Sequence, residues 1–336
     1  MFELLKKLTS IDGVSGNETA VSDFIISEID GFATWRKDAL GNIIAFKKGK
    51  KESAVKLMVD AHTDEVGLII TDITSDGFLK FKTVGGINTE VLFSRRVRIN
   101  GNILGVIGSK PVHLLKGDAA SKLPNSDSLY IDIGLSDKKS AEELICIGDR
   151  AVLLDNYTET ANTILSKALD DRIGCAILIT LLKEESEYDF YATFTVQEEL
   201  GVRGAKTAAF SVNPEAAIVL EGTTAADIAD VPAHKQVCKL GDGVAVSFMD
   251  RATVYDRAYY DAAIKSGLTC QTKRAVTGGN NSGAIHINRE GVRTIALSVP
   301  CRYIHSASSV CDKRDIESAH QLTRYMINGI CGGNIK

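Results

Sequence analysis

Several polar residues stand where apolar, strand-like runs stop, and their types are those that hold metal ions and move protons. His62 closes Leu57-Met58-Val59-Asp60-Ala61, Glu198 and Glu199 follow Phe194-Thr195-Val196-Gln197, and Glu221 follows Ile218-Val219-Leu220. In a parallel sheet the carboxyl ends of the strands share one edge, so separate strands would deliver these residues to a common site. Asp170, in Asp170-Asp171-Arg172 ahead of a helical pattern, and His305, in Arg302-Tyr303-Ile304-His305-Ser306, extend the set. Counting one of the Glu198–Glu199 pair, there are five candidate ligands. Histidine mixed with carboxylates suits zinc, cobalt or manganese, whereas an all-oxygen set favours magnesium or calcium. Five ligands exceed the three of a mononuclear catalytic zinc, and a bridging carboxylate such as Asp170 would hold two ions about 3.5–4 Å apart.

Asp64, two residues after His62, is placed to accept the other imidazole N–H and so fix the ring tautomer. Neighbours in an extended segment point to opposite sides, so Glu198 and Glu199 are expected to have different jobs. One can ligate a metal while the other faces the reacting water as general base. Each piece alone has a plainer reading: HxD as a chance pair, EE as a solvated face, DDR as a helix N-terminus favoured by the dipole. Their joint position at strand ends favours the functional one. His113, His234, His286 and His320 share no such pattern and are read as structural.

The elements that must position these residues follow from periodicity. Helical patterns cover Phe2 to Leu8 and a run from Asn17, read as its N-cap, with Val21, Phe24, Ile25 and Ile29 on one face. Strands are expected at 42–46 and 55–59. From Gly67 to Asn162 short segments such as Phe78-Leu79-Lys80-Phe81, Val97-Arg98-Ile99 and Leu129-Tyr130-Ile131-Asp132-Ile133 alternate with Gly and Asn turns, which predicts an inserted all-β domain over 67–162. After Ala161 strands and helices alternate to the end. This predicts an α/β catalytic domain, formed by 1–66 and 163–336, with a mostly parallel central sheet and helices on both faces.

Composition bounds the partners. At 336 residues the chain exceeds the usual reach of one core, and 44% hydrophobic with 24% charged residues is ordinary for a globular protein. The net charge of −4 is spread along the chain without a basic stripe, so no nucleic-acid partner is expected. No segment has the order of a secretory signal or the roughly 20 apolar residues of a membrane span. Seven cysteines, odd in number and without a CxxC pair, suit free thiols in a reducing compartment. A cytoplasmic protein, away from any membrane, is expected.

HTDEVG at 62–67, ALDDRIG at 168–174, VQEELGVRGA at 196–205, the glycine-rich segment ending GAIH at 278–286 and RYIHS at 302–306 occur together and in order. In this the chain resembles the M42 family of dinuclear metalloaminopeptidases over nearly its whole length, including VGGIN at 84–88 and VIGSKPVH at 106–113 in the β-rich insert. The resemblance implies a phosphorylase/hydrolase-like metallopeptidase fold with a β-barrel-like dimerisation domain. It implies that His62, Asp170, Glu199, Glu221 and His305 hold two divalent metal ions with Asp170 bridging, that Glu198 is the catalytic base, and that the Asp170–Asp171 peptide is cis. It further implies peptide substrates trimmed at the N-terminus and a homo-oligomer, a dodecameric shell built from dimers. Two positions depart from the family pattern: Glu221 stands where Asp is common, and Asn281 replaces an aspartate.

Three rival functions fit the residues less well. A glycoside hydrolase needs two carboxyl groups about 5–9.5 Å apart and leaves both histidines without a role. A non-catalytic peptide-binding or assembly protein leaves the Glu198–Glu199 pair without one. A related carboxypeptidase or deacylase would act at a different end or bond. The preferred N-terminal residue is not written in any of these motifs.

Overall fold

The computed structural model describes residues 1–336 other than 112, 114–125, 155 and 336, so the VIGSKPVH stretch is described only in part. Helices α1 (Phe2–Ser10) and α2 (Thr19–Ile29) lead into β1 (Thr34–Lys37), β2 (Ile43–Lys47) and β3 (Leu57–His62). Six strands follow: β4 (Gly67–Ile73), β5 (Leu79–Val84), β6 (Arg96–Ile99), β7 (Ile103–Gly108), β8 (Tyr130–Asp132) and, after helix α3 (Lys138–Glu142), β9 (Arg150–Leu153). The chain continues through β10 (Thr158–Glu159), β11 (Thr163–Ser166), α4 (Leu169–Lys183), β12 (Phe190–Thr195), α5 (Arg203–Val212) and β13 (Ala216–Thr224). It ends with β14 (Val244–Ser247), α6 (Arg257–Ile264), β15 (Cys270–Lys273), α7 (Ser282–Ile285), β16 (Arg293–Arg302), β17 (Ser309–Asp312) and α8 (Lys313–Cys331).

Eleven strands form one sheet whose main path runs β1-β2-β12-β3-β13-β16-β17-β11-β10, with β14 and β15 joined to it through β16. The expectation of a mostly parallel sheet needs correction. The central four strands, β12, β3, β13 and β16, are mutually parallel, as are β14 and β15, but every other pairing is antiparallel. Burial explains the central set: every residue of β3 and eight of the nine in β13 are buried, as continuous apolar runs covered on both faces require. Edge strand β1 is exposed throughout. Helix α4 packs on β3 and β13 with α1, α2 and α8 against it; α5, which packs with α7, also covers β3 and β12.

Strands β4 to β9 close into a six-stranded barrel in the order β4-β5-β8-β7-β6-β9. Its period-2 patterning turns Leu68, Ile70, Val97, Ile99, Ile107 and Ile131 into a second core. The all-β expectation is corrected here too: α3, capped by the Asp137 side chain on Ser140 N, lies in this segment. Asn17 is not the cap of α2, which begins at Thr19 behind Glu18 without a side-chain cap. All seven cysteines are free. Among the described residues no helix is long and apolar enough to cross a membrane.

Candidate functional site

The carboxyl edge of the four parallel strands is where the polar residues meet. His62 is the last residue of β3, and the pairing of Val219 with Asp60 sets Glu221 beside it. Glu221 lies inside β13, which continues to Thr224, and not beyond the strand's end as expected. Glu198 and Glu199 follow β12 in a turn entered through Gln197 at φ 56°. The alternation expected of an extended segment therefore does not separate their jobs. The turn sets the Glu199 carboxylate 3.1 Å from His305 Nε2, and both glutamates line one cleft.

Asp170 sits at the centre. The Asp170–Asp171 peptide is cis, and both residues leave helical backbone angles, so α4 proper begins only after them. Asp170 Oδ1 is 3.5 Å from His62 Nε2, which is 3.4 Å from Glu221 Oε1. Asp170 Oδ2 is 3.5 Å from His305 Nε2. Gly222 N donates to Asp170 Oδ1 at 3.2 Å, and a Cβ at Gly222 would stand only 2.9 Å from that oxygen, so the close approach requires glycine. Two donor groups thus share one carboxylate: His62 with Glu221 on one oxygen, His305 with Glu199 on the other. His62, Asp170 and Glu199 also form a cluster compact enough to hold one ion.

Asp64 organises both sides. His62 Nδ1 lies 3.1 Å from the Asp64 carbonyl and 3.3 Å from its Oδ1. The same carboxylate accepts from Glu198 N at 2.9 Å, Glu199 N at 3.1 Å and Ser15 Oγ at 2.6 Å. Sequence reasoning missed the last three bonds, and it missed Gly86 in the barrel segment, whose carbonyl stands 3.0 Å from His305 Nδ1. Each imidazole is held at Nδ1 and presents Nε2 to the centre. Left-handed backbone at Ala168, Gln197 and His305, with φ between 53° and 58°, concentrates strain around the same spot.

The electrostatics are those of too many anions. Burial pushes Glu198 up to about 8, with Glu199, Asp170 and Asp64 adding to the rise, and burial with Asp170 beside it pushes Glu221 well above the carboxylate range. Burial opposes a charged Asp170, yet His305 and His62 hold it well below that range. Burial likewise opposes charged histidines, but Asp170 and Glu199 raise His305 to about 11. His62 Nε2 and Glu221 Oε2 are buried with no hydrogen-bond partner among the described residues. Donors about 2.0–2.2 Å from a tetrahedral ion stand roughly 3.3–3.6 Å apart, which matches most of the spacings above. The residues fit divalent cations. The other histidines lie elsewhere, His320 on Glu184 at 3.0 Å and His286 on the Ser282 carbonyl at 2.8 Å.

Asn281 donates to Asp60 Oδ2 at 2.7 Å and to Thr195 Oγ1 at 2.8 Å, directly behind His62. An aspartate there would set two buried carboxylates face to face, so the departure at this position supports the packing behind the site.

Residues 41–322 match the sequence profile of the M42 glutamyl aminopeptidase family. The chain belongs to that family. It is 34% identical to a lysyl aminopeptidase of Pyrococcus furiosus, over 97% of this chain and 96% of the relative. Its fold superposes with a TM-score of 0.94 on an aminopeptidase from Desulfurococcus kamchatkensis, 34% identical, covering 99% of this chain and 96% of the other. It superposes at 0.84 on the Pyrococcus horikoshii TET1 peptidase, which can assemble into a tetrahedron or a large octahedral shell; identity is 34% and coverage 96% and 98%. M42 membership makes the cleft beside Asp170 the place to look for peptide hydrolysis.

Proposed function

We propose that this M42 protein is an aminopeptidase that holds two divalent metal ions, zinc or cobalt and otherwise manganese, and removes N-terminal residues from peptides. The single observation that carries the proposal is the division of donors about Asp170. His62 and Glu221 would hold one ion and His305 and Glu199 the other, each with one oxygen of Asp170. When bound, such a pair lowers the pKa of a shared water and polarises a carbonyl. Glu198 lines the cleft beside these donors, and its burial favours a carboxyl group that takes a proton and returns it to the departing amine. Asp64 holds the His62 ring and both glutamate amides, so it positions ligand and base together. A glycosidase reading leaves His62 and His305 without work. We also assign the insert, 67–162, whose strands β4 to β9 form the barrel, to self-association; that a relative assembles into shells supports an oligomer.

Chelator-stripped protein should remain folded, because both apolar cores close without an ion. It should lose hydrolysis of aminoacyl-p-nitroanilides and regain it with zinc, cobalt or manganese. Recovery with calcium alone, or cleavage of soluble cellulose in place of aminoacyl substrates, would overturn the proposal.

A further inference from the structure

Four consecutive backbone amides carry the chain past the end of β12, and each donates to a side chain from the N-terminal part of the protein. Val196 N donates to Asn42 Oδ1 at 2.9 Å and Gln197 N to Glu18 Oε1 at 3.2 Å. Glu198 N donates to Asp64 Oδ1 at 2.9 Å and Glu199 N to Asp64 Oδ2 at 3.1 Å. Where the chain leaves the sheet, side chains take over as the acceptors that a neighbouring strand would supply.

Two of these acceptors have other work. Asn42 also donates to the Gly204 carbonyl at 3.0 Å and to Thr207 Oγ1 at 2.8 Å, and Asp64 orients the His62 ring. Glu18 has a narrower task. It is 6% exposed, and the same Oε1 accepts from Gly16 N at 2.7 Å. Burying a carboxylate is costly unless hydrogen bonds compensate, and here burial and the nearby Asp64 both push the Glu18 carboxyl above its ordinary range. The residue it grips is Gln197 at φ 56°, a left-handed conformation that a non-glycine residue keeps only when its surroundings hold it. Glu18 reaches that residue from an anchored segment. Glu65 N donates to the Gly13 carbonyl at 2.9 Å, Ser15 N to the Glu65 carbonyl at 3.3 Å and Ser15 Oγ to Asp64 at 2.6 Å.

We propose that Glu18 is a positioning residue for the reaction: by holding the Gln197 amide it keeps the turn wound and fixes where the Glu198 carboxylate stands in the cleft. The inference rests on the aminopeptidase reading above, in which Glu198 is the base. Proton transfer needs the base at hydrogen-bond distance, so a small displacement of the turn slows the reaction without weakening substrate binding. The metal ligands feel the change less, because His62, Asp170, Glu221 and His305 stand on other elements and Glu199 keeps its own amide bond to Asp64.

Glu18→Gln keeps an oxygen that accepts from both amides, whereas Glu18→Met fills the same space without one. In metal-loaded protein, Glu18→Met should lower kcat for an aminoacyl-p-nitroanilide by roughly tenfold, the scale of one hydrogen bond to a charged group, with KM changed by less than about twofold. Metal content should be unchanged, and Glu18→Gln should keep most of the wild-type rate. Hydrogen exchange read by mass spectrometry gives a signature independent of turnover. A peptide spanning 197–199 should exchange faster in Glu18→Met, and one spanning β3 should not. An unchanged kcat, unchanged exchange at 197–199, loss of metal in step with the rate, or an equal fall in Glu18→Gln and Glu18→Met overturns the assignment. Wild type that cleaves no aminoacyl substrate would instead overturn the peptidase reading beneath it, and the exchange at 197–199 would still decide whether Glu18 holds the turn.

Discussion

Two buried charge clusters lie within a few residues of one another and are built on opposite principles. In the first, Glu65 accepts from Lys167 at 2.6 and 2.9 Å and from Gly13 N at 3.1 Å, with Arg172 Nη2 at 3.5 Å. Arg172 also gives its Nε and Nη1 to the carbonyls of Thr63, Leu8 and Ile11. The second begins three residues earlier at His62 and three residues later at Asp170, and gathers carboxylates with no Lys or Arg among them. The first cluster is charge-complete and pins α1, β3 and α4 together. On the proposed reading the second is completed by metal ions from outside, which is how a functional site differs from a structural one of equal burial.

That contrast can be broken by mutation. In the charge-complete cluster, Glu65→Gln strips the anion from buried Lys167 and should destabilise the chelated protein by about 3–5 kcal/mol. In the other, Glu221→Gln removes one of several repelling carboxylates, so the melting temperature of the chelated protein should stay level or rise. Thermal unfolding of both variants with chelator present checks this, and equal destabilisation would erase the distinction. A smaller effect sharpens it: Ser15→Ala removes one of three donors to Asp64 and should cost about 1 kcal/mol, with a modest rise in KM or fall in kcat as the Glu198 turn loosens. An unchanged melt and rate would show that the two backbone amides suffice to hold Asp64.

Much of this was legible beforehand because strand ends announce themselves: His62, Glu198 and Glu199 each close an apolar run, and the helices at both termini follow their periodicity. Strand direction was not legible. An apolar run such as β2 carries no mark of running antiparallel to β12, and β10, β11 and β17 are short or half exposed. Glu65 and Asp64 are adjacent acids in HTDE, and only the fold shows that one meets Lys167 and the other the His62 ring. Gly86 and His305 are 219 residues apart, so no local pattern could pair them.

On the proposed mechanism the neighbouring glutamates of one turn do different work. Glu198→Gln should leave about two metal ions per chain by mass spectrometry while turnover falls roughly 10²–10⁴-fold, with substrate affinity largely kept. Glu199→Gln should lower metal content toward one ion, and excess metal should partly restore its rate. If Glu198→Gln lost metal and Glu199→Gln kept it, the two roles would have to be exchanged. Full activity in both variants would contradict the account.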